Sequence, residues 1–114
     1  MKTAISEIDW KYLRSVQSEL LFSLCERINR KAMEILRSGE MSERDKYKNL
    51  YQHILHSDKI VANCFDDWRR SNIRLKVVML HRNSLLTEEN MRHLSDETKD
   101  ILKSINQLSE GKIE

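Results

Sequence analysis

At 114 residues and 13.6 kDa the chain has room for one domain and none for a second. Charged residues make up 33 % and apolar ones 39 %, yet 20 Lys and Arg nearly balance 18 Asp and Glu, leaving a net charge of +2. Two glycines, no proline and two cysteines exclude a collagen-like chain, a Pro/Gly/Ser-rich linker and a disulfide-stapled mini-protein, and they favour a few long helices.

The first helix is predicted over residues 6–37. Leu13, Val16, Leu20, Leu24, Ile28, Ala32 and Ile35 recur at steps of three and four, with polar residues between them. The seven-residue register holds to Leu20; successive steps of four then form a stutter, which straightens the helix. Ser6 is the expected N-cap, with Asp9 in the place of the usual capping-box Glu. Arg37-Ser38-Gly39 is the expected stop, because a cation suits the last carbonyls and glycine is free to take positive φ.

Ser42-Glu43-Arg44-Asp45 opens a second predicted helix over 43–70. Tyr47, Leu50, Ile54, Ser57, Val61, Cys64 and Trp68 keep a strict 3-4 alternation, widened by Tyr51 and Phe65. The phase passes through Ser57 unbroken, which favours one helix over a split with Ser57 as a new cap. Between 72 and 82, Ile73, Leu75, Val77 and Met79 alternate like a strand, whereas Ile73, Val77 and Leu80 fit a short helix. A lone strand would leave its backbone groups unpaired, so helix is the expectation. Thr87-Glu88-Glu89 then caps a last predicted helix over 88–109, with Met91, Leu94, Thr98, Ile101, Ile105 and Leu108 in heptad spacing. Ser95-Asp96-Glu97 offers a restart inside it, and the expected end lies before Gly111.

These elements predict an all-α fold, residues 1–114 forming one antiparallel bundle of three to four helices built on a long helical hairpin. The hairpin has more apolar edge than the last helix can cover, so a homodimer is expected ahead of a monomer. Residues 1–7 lack the apolar stretch of a secretory signal. The apolar run Val77–Leu80 is far short of the ~20 residues of a spanning helix. A soluble, cytoplasmic protein without membrane contact is expected.

Four groups of residues bear on chemistry. From Trp68 to Thr87 there is no acid, while Arg69, Arg70, Arg74, Lys76 and Arg82 are cationic and His81 sits among them. Such a segment can hold phosphate oxygens of a nucleic acid or another anion, or pair with acids of neighbouring helices such as Asp66, Asp67 or Asp96. His53 and His56 lie three apart, but no Glu-x-x-His occurs and no further ligands suggest themselves, so no metal or cofactor is expected. Cys25 and Cys64 read as reduced thiols near the core, the alternative being an inter-helix disulfide that needs Cα atoms within ~7 Å. Trp10, Tyr47, Tyr51, Phe65 and Trp68 fall on or beside the stripes; several of them exposed together would mark a partner-binding patch. With no GxSxG, phosphate loop or HExxH, the expected role is protein–protein binding by an interaction or regulatory module, not catalysis. Nucleic-acid or phosphate binding through residues 69–82 is the alternative.

Overall fold

The computed structural model describes the backbone of residues 5–113 and the side chains of residues 5–105. Five helices follow in order: α1 Glu7–Arg37, α2 Glu43–Phe65, α3 Ile73–Arg82, α4 Glu88–His93 and α5 Asp96–Ile113. No strand occurs among the described residues. The fold is all-α, with the long α1 packed antiparallel on α2, and the molecule measures 51 × 36 × 24 Å.

The ends of α1 and the start of α2 follow local chemistry. Ser6 Oγ accepts from the Asp9 backbone N–H at 3.2 Å, and Ser42 Oγ accepts from Asp45 N–H at 3.1 Å. The expected extension of α2 to residue 70 fails. Asp66 and Asp67 place negative charge where the helix already presents unpaired carbonyls, no basic residue occupies the last turn, and Asp67 turns to φ 55°. Lys76 Nζ, from α3, donates to the last-turn carbonyls of Ala62, which also accepts from Asp66 N–H, and of Asn63, at 3.2 and 3.1 Å. Trp68 still reaches the core predicted for it, by folding back rather than by continuing the helix. Its Nε1 donates to Cys64 O at 2.7 Å and its ring lies parallel to Phe65, centroids 6.0 Å apart.

Residues 73–82 are helical, as the missing strand partner requires. The helix closes in a Schellman motif: Ser84 N–H donates to His81 O, and Leu85 N–H to Leu80 O, both at 3.0 Å, with Leu80 and Leu85 buried. The left-handed position, φ 56°, is held by Ser84 and not by glycine. Ser84→Gly should therefore stabilise the fold by about 0.5–1 kcal/mol, read from the urea midpoint.

The last predicted helix is two helices. Thr87 and Asn90 form a reciprocal capping box at the start of α4, and the chain breaks at Leu94 before α5 begins at Asp96. Helix α5 continues through Gly111 instead of stopping before it. Leu108, expected on its stripe, lies outside the described side chains.

Helices α3–α5 pack across one side of the hairpin, at the end remote from its 38–42 turn. Leu13, Ile73, Leu80 and Leu102 are fully buried there. Asp9 is the polar seam of this layer. Its carboxylate, wholly buried, accepts from Ser95 N–H at 2.9 Å and from the Ser95 and Thr98 hydroxyls at 2.6 Å each. The expected capping-box role of its side chain is thus replaced by a role 86 residues away, at the start of α5. Farther along α1, Tyr12 Oη accepts from Asn90 Nδ2 at 2.9 Å, and Arg27 donates to Asn83 O and Ser84 O at 2.6 and 3.0 Å.

Candidate interaction surface

The basic segment does not form one cationic face. Only Arg74, Lys76 and Arg82 of the five candidates lie on α3; Arg69 and Arg70 precede it. Arg69 pairs with Asp67, Nε and Nη2 reaching the carboxylate at 3.0 and 2.9 Å. Arg70 makes a two-pronged pair with Glu7 of α1 at 3.1 and 2.8 Å and lies 5.1 Å over the Trp10 ring. The Arg70 hydrogen bond holds the Glu7 carboxyl below its ordinary range. Lys76 is spent on the end of α2, Arg74 is half-buried with an interaction of its own, and Arg82 is exposed.

His53 is also engaged within the fold: its Nε2 lies 2.9 Å from Ile28 O and its Nδ1 3.4 Å from Ser57 Oγ. With His56, Arg27 and Lys31 it lines a shallow groove of about 290 Å³ beside Asn83, at the end of α3. Among the described residues, no three His, Cys, Asp or Glu side chains converge as a metal site requires.

Both cysteines are free. Cys64 is buried, and burial pushes its thiol up despite the Asn83 amide 3.6 Å from the sulfur. Cys25 is exposed, against the expectation of a place near the core. At dilution, where the chain is monomeric, a thiol reagent should therefore label one group per folded chain, at Cys25, and reach Cys64 only on unfolding. Mass spectrometry after tryptic digestion checks the assignment.

The largest departure from the predicted stripes concerns the hairpin beyond the α3–α5 layer. Leu20 is buried and Ile101 half-buried, but Tyr47, Tyr51 and Ile54, all placed on or beside the α2 stripe, are exposed. So are Phe22, Met33 and Leu36 of α1, the six ranging from 44 to 70 %. At about 100° per residue, Phe22, Cys25, Asn29, Met33 and Leu36 form a second line on α1, nearly half a turn from Leu13, Leu20 and Leu24. On α2 the line Ser57–Cys64 faces α1. His53, His56 and Ile60 flank it on the groove side, beside the end of α3. Tyr47, Tyr51 and Ile54 flank it on the other side. Because the helices are antiparallel and right-handed, that flank and the Phe22–Leu36 line emerge on the same broad side of the hairpin, away from α3–α5. The six apolar side chains, three of them aromatic, thus lie on one side of the hairpin, with exposed Asp58 ending the α2 line.

The α1 half of this face was legible as a 3-4 spacing, but the stronger Leu13–Ile35 stripe masked it. No helix among the described residues is long and apolar enough to cross a membrane. Comparison with known proteins finds no family model, no curated protein and no solved structure that matches this chain.

Proposed function

We propose that the chain is a cytoplasmic interaction or regulatory module that acts by protein–protein binding, through the apolar face of its hairpin, and not by catalysis. The observation that carries this reading is the joint exposure of Phe22, Met33, Leu36, Tyr47, Tyr51 and Ile54 on one side of two long helices. Apolar faces of this breadth mark partner surfaces, and tyrosine supplies both apolar area and a polar tip there. The occupant is helical, since a flat two-helix face buries most against another helical surface: a further copy or another protein. Free Cys25 and Cys64 suit a reducing compartment.

Exposed Cys25 sits on the face and provides the test. A photoreactive benzophenone attached there, irradiated in extract of the native host, should form protein adducts that disappear in the Leu36→Glu/Tyr51→Glu variant. Absence of adducts overturns the reading. So does tight binding of duplex DNA, single-stranded DNA or RNA at moderate salt that Arg70→Glu with Arg74→Glu abolishes; function would then pass to the basic segment.

A further inference from the structure

Resting on that reading, we infer that the face is occupied by a second copy of this chain, docked antiparallel about a two-fold axis that passes beside Asn29. The first support is area. From their fractional exposures, the six apolar side chains offer roughly 700 Å², close to the about 800 Å² each partner contributes to a stable interface. Two hairpins stacked face to face make a four-helix bundle, which leaves each copy's α3–α5 layer on the outside.

Charge does not oppose the pairing. A chain of net charge +2 repels its copy little. Beside the apolar line, Glu26 and Arg30 already neutralise each other at 3.2 Å.

Asn29 chooses the arrangement. It is the polar member of an otherwise apolar line, midway between Phe22 and Leu36. The contact of His53 with Ile28 O puts it within about one turn of Ile54 in height. A two-fold axis parallel to the helices would lay α1 on the other copy's α2 and set each Asn29 amide against Tyr51 and Ile54. An axis across the helices lays α1 on α1, and the two Asn29 amides meet and bond to each other. Two facing amides each satisfy a donor and an acceptor of the other, whereas one Tyr51 hydroxyl beside apolar Ile54 satisfies an amide only in part, so the crossed axis wins. A single buried Asn pair also fixes register, the use such residues have in coiled coils.

Sedimentation equilibrium of the full chain should give a monomer–dimer equilibrium approaching twice 13.6 kDa. Leu36→Glu/Tyr51→Glu should raise the dimer dissociation constant by about 30-fold or more without loss of helical circular dichroism. In a Cys25→Ser background, Asn29→Cys should form an intermolecular disulfide under mild oxidation, because the introduced thiols face each other. A dimer that forms no such disulfide overturns the crossed axis. A monomer at about 100 μM whose Cys25 probe captures other proteins overturns the second copy while the interaction reading stands. A monomer whose probe captures nothing sinks both.

Discussion

Asp9→Ala is expected to cost roughly 2–4 kcal/mol of unfolding free energy, the largest loss from any single polar substitution in this chain. The side chain is wholly buried and takes three hydrogen bonds, one from the Ser95 backbone and two from hydroxyls. Alanine would leave the Ser95 N–H, the half-buried Ser95 hydroxyl and the buried Thr98 hydroxyl without the carboxylate they donate to, at the positive end of the α5 dipole. Asp9→Asn should recover only part of the loss, since its amide nitrogen turns a donor toward donors. Urea denaturation followed by circular dichroism measures both. A cost below about 0.5 kcal/mol for alanine would show that the seam contributes nothing.

The same carboxylate sets an acid limit. Burial alone would raise its pKa, but the bonds from Ser95 and Thr98 outweigh burial and hold it below the ordinary 3.8. The ionised form is thus favoured in the folded state over the unfolded one. Its contribution is complete above the unfolded value and is lost as pH falls through the lower folded value. The stability gap between native chain and Asp9→Asn should therefore be constant near neutrality and narrow below about pH 4.

What could be read in the sequence was local. The Ser6, Ser42 and Thr87 caps are where side-chain oxygens precede amphipathic runs, and all three bond as expected. Helix won over strand at 73–82 because a strand there has nothing to pair with. Distant pairing was not legible. Nothing in Ser6–Asp9 indicates that its carboxylate belongs to Ser95, and nothing in the unbroken phase from Ser57 to Trp68 shows that Asp66 and Asp67 end the helix. The basic run from Arg69 to Arg82 looked like one surface because its neighbours in sequence lack acids. Arg69 does take Asp67, an acid the sequence offers next to it, but Glu7 and the carbonyls of Ala62 and Asn63 come from other elements. Periodicity likewise gives a side chain's direction but not whether anything stands opposite it. Tyr47 and Ile54 keep phase with Ser57 and Cys64, yet the α3–α5 layer does not extend over them.

Leu20→Ala and Ile54→Ala should therefore differ although both residues occupy predicted core positions. Leu20 is buried against the layer, and its truncation should cost about 2–5 kcal/mol at any protein concentration. Ile54 is 44 % exposed, so in the isolated chain its truncation should cost about 1 kcal/mol or less. A second copy over the face changes this for Ile54 alone. Association stabilises the folded state by mass action, so removing an interface side chain shows its full penalty only where the dimer is populated. Urea midpoints compared at about 1 and about 100 μM should then coincide for the Leu20→Ala penalty and spread for Ile54→Ala. Equal, concentration-independent costs at both positions would mean that the chain itself covers Ile54, and the open side of the hairpin would be lost as a binding surface.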